Sequence, residues 1–565
     1  MNRFSSPVLA AALAFSCAGQ APPGGGLPDT TPPSVKSTYP EANSTNFRDD
    51  HLVFEFSEYV DKRSVQEAIF FSPSVGSVEI DWSGAEVKVK LEELLRADIT
   101  YVVTLGTDVV DIRNANRMAE SFTLAFSTGS TIDSAFISGQ VFDKKPEGVT
   151  IFSYLLDHCS ADTLDPQRVK PDYVTQTGKD GTFTLSHLAW GTYRLFAVRD
   201  EYKNLLYVPQ VDQIGFLSRD IPADRLHPNA QGVYFMLTKE DTTKPFLLDA
   251  QALDKNLIRI RFNEPLDQAN VHIGLFQIRD TLSSEALRLR GVYSLPSAPM
   301  SAMLMSEDLD SLKYYHVEVN NVRDTAGNII KPHLRTTVFR GSSTPDTTTP
   351  KIQWIDPTDS TRDVPYWNPI DLNFDEPIRL ETFERSFVLS DSSGRSVVGR
   401  WQWRSSTAGS FVPSIPLEPK AKYTIRLPLD SLVDLAGNNQ HDSTFHMVFQ
   451  TIDVRKLGSL FGRIEDASPN DRSPIVLTVR MVGDKSNTEQ VLRLENPGPF
   501  VFDKLVEGLY TLRAFRDTDG NGKFTNGSSF PYHMSERFTL YPDTVKIRAR
   551  WPLEGIVLRF EDGAR

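Results

Sequence analysis

Period-two alternation of apolar and polar residues dominates the chain and predicts short antiparallel strands. In "HLVFEFSEYVD", Leu52, Phe54 and Phe56 share one face, and the run ends at Glu58. In "LIRIRFNEPLD", Ile258, Ile260 and Phe262 point one way, Arg259 and Arg261 the other, and Glu264 follows. "PIDLNFDEPI" repeats the scheme with Ile370, Leu372, Phe374 and Glu376. A strand with one buried and one solvated face reads this way.

Around each of these strands the same framework recurs. Upstream lies a polar, proline-stopped phrase, "DTTPP" at Asp29, "DTTKP" at Asp241 and "DTTTP" at Asp346. Downstream comes a Tyr-led strand, starting at Tyr101, Tyr315 and Tyr423. An Asp-containing turn follows each: "DIRNAN" from Asp111, "DTAGN" from Asp324 and "DLAGN" from Asp434. One unit is about 100 residues of antiparallel strands, the size and patterning of an immunoglobulin-like sandwich. The opening Asp-x-x-x-Pro, the Phe-x-Glu and the Asp-x-Ala-Gly-Asn resemble the bacterial Ig-like domain of the SbsA type, with the first copy departing at its last turn.

The remaining segments match one another. "GTFTLSHLAWGTYRLFAVRD" from Gly181 and "GPFVFDKLVEGLYTLRAFRD" from Gly498 share Gly-x-Phe, a Leu, Gly-x-Tyr-x-Leu, Ala and Arg-Asp. This pattern resembles a transthyretin-like or carboxypeptidase regulatory-like sandwich. The fold class expected is therefore all-β, a tandem array of five β-sandwich modules. Their order is Ig-like (29–130), transthyretin-like (131–239), Ig-like (240–343), Ig-like (344–454) and transthyretin-like (455–565). Laid end to end they make a rod.

Composition adds little to the fold but narrows the function. The 565 residues are 40% hydrophobic and 24% charged, with a net charge of −13 spread along the chain. No basic stripe marks a nucleic-acid surface. Residues 1–16 carry a short positive start and an apolar run too short to span a bilayer, which predicts an export signal. It ends in "AFSC", which resembles a bacterial lipobox, so Cys17 is the expected lipid attachment point and residues 17–28 a flexible tether reaching up to about 35 Å. The alternative is an ordinary signal peptide. Module order, lipobox and tether together resemble Bacteroidota-type envelope lipoproteins. The resemblance implies an outer-membrane address, its face undetermined, and envelope proteins as partners. With Cys17 lipidated, Cys159 is left without an internal disulfide partner and reads as an inert buried thiol rather than a reactive one beside His158.

Three constellations remain as candidate chemistry. "RDTDGNGKFTNG" places Asp517, Asp519 and Asn521 at alternate positions before Gly522, with the Lys523 carbonyl at the next ligand position, as in an EF-hand-like Ca²⁺ loop. Ser528 stands where such a loop has its bidentate Glu, so a plain Asp/Asn/Gly turn is the competing reading. Trp401 and Trp403, in "GRWQWRSS", share a strand face; core packing is favoured, and stacking on a glycan or a protein hot spot is the alternative. Glu58, Glu264 and Glu376, with Asp111, Asp324 and Asp434, are carboxylate pairs, but their threefold recurrence favours a role in the fold. No nucleophile elbow, zinc-protease helix or P-loop occurs. The expected function is non-enzymatic: a structural or adhesive scaffold, with a glycan binder as the alternative and an enzyme without a linear motif as the remote third.

Overall fold

The structure is a computed structural model and describes residues 29–158, 163–440, 443–466, 468, 471–483 and 489–561. It is all-β. The Ig-like modules each pair a four-stranded with a three-stranded antiparallel sheet. In the first, Val35–Tyr39, His51–Phe56, Glu86–Leu91 and Val78–Ser83 lie in that spatial order, facing Ile69–Ser72, Thr100–Leu105 and Phe122–Ser127. The modules that start at Asp241 and Asp346 repeat the order. The alternating strands turn inward as their patterns require: Leu52, Phe54, Ile258, Ile260, Ile370 and Phe374 are buried in the sandwich cores.

The Tyr-led strands are fixed at a recurring corner. The phenol oxygens of Tyr101, Tyr315 and Tyr423 accept the amides of Arg96, Asp310 and Glu418, at 2.9, 3.1 and 2.8 Å. Each ring stacks on a phenylalanine of the closing strand, Phe126, Phe339 or Phe449. The apolar ring is buried and its polar tip satisfied, the arrangement a buried tyrosine needs.

Modules 2 and 5, the two expected to be transthyretin-like, set a three-stranded sheet against a five-stranded one. In module 2 the first is Thr182–Leu188, Ala135–Phe142 and Asn229–Met236, with the last pair parallel. The second holds Tyr173–Gln176, Thr150–Leu155 and Gly191–Arg199, with Gln213–Gly215 and Ile221–Ala223 both pairing the last of these. Module 5 reproduces this layout. The Gly-x-Tyr motif sits at a close packing point. A Cβ at Gly191 would stand 2.4 Å from Leu155, and one at Gly508 2.3 Å from Met481. Tyr193 and Tyr510 then donate their hydroxyls to the carbonyls of Ala189 and Val506, at 2.7 and 2.8 Å.

The array is not an extended rod. Module 5 folds back onto module 2. Phe142, Tyr234 and Met236 of module 2 pack on Val476, Phe515 and Phe538 of module 5. The loop that follows Gly508–Arg516 reaches farther. Tyr532 lies edge-on to Phe196 at 5.8 Å, and the Arg194 guanidinium stacks on the Tyr532 ring at 3.7 Å. Ser529 donates its amide to Glu240 at 2.8 Å, and Ser535 gives its amide to the Leu217 carbonyl and its hydroxyl to that of Phe216, both at 3.0 Å. Modules 2 to 5 thus close into a circuit. Module 1 is joined to module 2 by Thr107 donating to the Thr177 carbonyl and by Lys203 bridging Glu67 and Asp108.

Candidate functional site

The recurring carboxylates come together, and the structure shows what they do. Asp111, Asp324 and Asp434 are almost wholly buried, 2%, 1% and 1% exposed. Each accepts the backbone amides of its own turn. Asp324 takes Ala326 and Asn328 at 2.9 and 2.8 Å, and Asp434 takes Gly437 and Asn438 at 2.5 and 2.7 Å. In module 1, Asp111 takes Asn114 and Asn116 at 2.6 and 3.0 Å and is held below the usual carboxylate range by those bonds.

The last Asn of each turn then clasps the start of its module. Asn116, Asn328 and Asn438 donate their side-chain amides to the main-chain carbonyls of Asp29, Asp241 and Asp346, at 3.0, 2.8 and 3.2 Å. Those three aspartates in turn accept the amide two residues on, from Thr31, Thr243 and Thr348, each at 2.9 Å. This is the Asx turn that Asp and Thr favour. The two motifs, far apart in sequence, are halves of one staple that ties the entry of a module to its last turn.

Glu58, Glu264 and Glu376 flank the staples. Burial raises the pKa of each, and the neighbouring aspartates of the staple raise it further. Only Glu376 is pushed up to about 7. Amide capping falls to the aspartates, whereas the glutamates stand as second carboxylates beside them.

The Asp517 loop gathers more than its linear motif. Asp517 and Asp519 are joined by Glu536, and each of the three brings an oxygen within 4.8 Å of the others. Glu536 is buried and accepts the amides of Thr518 and Thr525 at 2.7 and 3.0 Å. No linear signal announces it, because it enters from the far end of the loop, beyond Ser528. The donors are the hard oxygens Ca²⁺ takes. They are also engaged already: Asp517 accepts Gly522 N at 3.2 Å and pairs with Arg493 at 3.1 Å, Asp519 accepts Asn521 N at 3.0 Å, and Asn521 accepts Lys523 N at 2.6 Å.

Trp401 and Trp403 stack on each other at 5.0 Å and pack against the module 4 core. Phe383 and Phe387, around the short helix Leu380–Ser386, meet the Trp401 ring edge-on, and Trp403 gives its indole N–H to Glu384 at 2.6 Å. A Cβ at Gly409 would lie 2.4 Å from Trp403, so the ring rests on bare backbone. The rings spend their faces on the protein itself. Cys17 and Cys159 lie outside the described residues.

Comparisons with known proteins bear on the modules. A family model described as "Bacterial Ig-like domain" matches residues 29–128 and 346–451, modules 1 and 4. No curated protein matches the chain. Among solved structures, the N-terminal part of the bacterial S-layer protein SbsC is 12% identical over 37% of this chain, with a TM-score of 0.17, and the match spans 44% of that protein. Domains 1–6 of the surface layer protein SbsC match 92% of this chain and 67% of theirs, at 9% identity and a TM-score of 0.17. The transpeptidase LdtMt1 in complex with imipenem matches over 26% of this chain and 74% of its own, at 16% identity and a TM-score of 0.17. What the family match establishes is that modules 1 and 4 of this chain are bacterial Ig-like domains.

Proposed function

We propose that this protein is a non-enzymatic scaffold of the bacterial envelope, anchored to the outer membrane by a lipid on Cys17 and acting through protein–protein contacts. The observation that supports this reading is how the recurring polar residues are used. The recurring aspartates of the Ig-like modules are consumed in staples, and side-chain bonds such as Lys203 to Glu67 and Asp108 tie one module to the next. The chain spends its chemistry on shape. Two experiments test the proposal. Metabolic labelling with a fatty acid should mark the protein and be lost in Cys17→Ser; label that persists overturns the anchor. Photocrosslinkers placed at exposed Leu282, Leu312 and Val398 should trap discrete envelope proteins in intact cells. Absence of adducts, together with glycan binding abolished by Trp401→Ala, would transfer the function to the glycan-binding alternative.

A second reading concerns the Asp517 loop, and Glu536 is the observation that favours it. A structural Ca²⁺ held by Asp517, Asp519, Asn521 and Glu536, with the Lys523 carbonyl, would brace the loop whose tip docks on module 2. Ca²⁺ added to metal-free protein should then raise its melting temperature. Identical melting curves would leave Asp517 to Lys523 a plain turn.

A further inference from the structure

The three staple glutamates occupy equivalent positions but not equivalent surroundings, and the difference lies at the seam between modules 3 and 4. A cavity of about 230 Å³ opens there, lined by Asp254, Asn256 and Tyr293 of module 3 and by Asp346, Glu376 and Pro377 of module 4. Tyr293 and Asp254 are 5% and 7% exposed. The two modules therefore face each other across carboxylates contributed by both. One oxygen from each of Asp346, Glu376 and Asp434 lies within 4.8 Å of the others. Close by, Lys255 N donates to the Thr344 carbonyl and Gln353 donates to Ser297 Oγ, both at 2.8 Å.

We propose that this seam is a pH-sensitive hinge, closed when Glu376 carries a proton and loosened when Glu376 ionises. Carboxylates this close cannot all be charged in a site shielded from water without a large cost. The groups around Glu376 make it the one that keeps the proton. Asp434 is committed to its amides, and Asp346 accepts Thr348 N. Asp375 accepts Lys351 N at 2.7 Å, and Asp254 accepts Asn256 N at 2.7 Å. Burial together with the Asp346, Asp434 and Asp375 charges holds Glu376 at about 7. From module 3, burial and the Glu376 charge raise the Tyr293 phenol, so that phenol stays neutral. Burial and Asp346 raise Asp254 in the same direction. The cations nearby are Arg290, which lines the cavity but is solvent-exposed, and Arg379, also exposed, which donates to the Leu435 carbonyl. Neither is buried against Glu376, and exposed charges are screened.

The sign follows from linkage. Glu376 has a higher pKa in the closed seam than its ordinary value of 4.5. Opening removes only the burial that module 3 supplies, and Asp346, Asp434 and Asp375 stay beside Glu376 and keep it above 4.5 in the open seam. Closure is therefore fully present below that open-seam value and is lost as pH rises from there to about 7, the opening constant growing roughly tenfold per pH unit through that window and levelling off above it. Glu58 and Glu264 are shifted the same way but less. They are built-in controls.

Hydrogen exchange of the full chain in EDTA buffer tests the proposal on peptides covering 253–257 and 343–348. Dividing wild type by Glu376→Gln at each pH cancels the intrinsic pH dependence of exchange. The ratio should stay near one at pH 5 and rise at least about tenfold by pH 8. Wild type divided by Glu264→Gln, followed on residues 241–246, should stay flat. A second variant, Asp346→Asn, keeps an oxygen for Thr348 N while removing the largest neighbouring charge, and should shrink the rise. A flat ratio for Glu376→Gln, an equal rise for Glu264→Gln, or an undiminished rise in Asp346→Asn overturns the hinge.

Discussion

His51–Phe56 of module 1 and Thr150–Leu155 of module 2 are both interior strands of their sheets, yet they are buried in different ways. The first alternates, with Leu52, Phe54 and Phe56 buried and Glu55 exposed. The second is buried at every residue. Its inner face, with Ile151 and Leu155, joins the core of module 2; its outer face, with Phe152 and Tyr154, joins a second cluster to which Tyr532 of module 5 contributes. In module 5, Ile475–Met481 opens with the same unbroken run of burial, and Val476 faces module 2. Modules 2 and 5 complete their outer faces on each other, and module 1 does the same against module 2 on its other sheet: Thr100–Leu105 is buried at every residue, and its Val102 joins the module 2 core. A strand that loses its alternation marks a sheet covered on both sides.

The largest effect should come from breaking that second layer. Phe196 is fully buried and meets Tyr154, Phe216 and Tyr532. Phe196→Ala should cost about 3–5 kcal/mol of module 2 stability by denaturant titration. Glu55→Ala, on the outer face of the module 1 strand, should stay within about 0.5 kcal/mol. Equal costs would erase the distinction between a strand covered on both faces and one covered on a single face.

Next in size is the docking contact. Tyr532→Ala removes a ring sandwiched between Arg194 and Phe196 without touching the module 2 core itself. Double-mutant cycles with Arg194→Met should give a coupling of about 1–2 kcal/mol, and small-angle scattering should show the closed circuit of modules 2 to 5 lengthening. A maximum dimension that does not change would mean that the Phe142, Tyr234 and Met236 contacts suffice alone.

How much of this was legible follows the same division. Alternation, the Asp-Thr-Thr phrase, Phe-x-Glu and Gly-x-Tyr are local patterns, and the strand and module layout follows from them. The staple was half legible. Asp434 reads as a turn residue and Asp346 as the start of a recurring proline-stopped phrase, but nothing local says that Asn438 reaches back across the module to the Asp346 carbonyl. Glu536 was invisible for the same reason: its role is set by the path of a loop. The fold-back of module 5 did leave a trace, the unbroken apolar runs "VTIFSYLL" and "PIVLTV". Such a run reads equally as a strand buried within its own domain, and only three-dimensional packing separates the two.

A third test weighs the staples themselves. In module 4, Asn438 alone among the described residues ties its turn to the Asp346 carbonyl, whereas in module 1 both Asn114 and Asn116 reach the Asp29 carbonyl, at 2.6 and 3.0 Å. Asn438→Ala should therefore cost about 1–2 kcal/mol, and Asn116→Ala less than about 1 kcal/mol, since one donor remains. Calorimetry of the full chain resolves the two if the modules melt separately.

The smallest effect concerns the same turn and runs in the opposite direction. Gly327 and Gly437 sit in their turns at φ of +89° and +102°, where a Cβ is strained. Module 1 follows a different course, "DIRNAN", and there Ala115 adopts φ of +55° just before the clasping Asn116. An alanine held in the left-handed region is strained by about 1 kcal/mol relative to glycine, although glycine gives back part of that through the greater freedom of the unfolded chain. Ala115→Gly should thus stabilise module 1 slightly, by up to about 0.5 kcal/mol, seen as a small rise in the midpoint of its denaturation. The second donor, Asn114, explains why the strain is tolerated: with two amides on one carbonyl, the module 1 turn holds Asp29 without the glycine that the other copies use. If Ala115→Gly lowers stability instead, the alanine is packing against something the turn needs, and the first copy is a distinct device rather than a variant of the same staple.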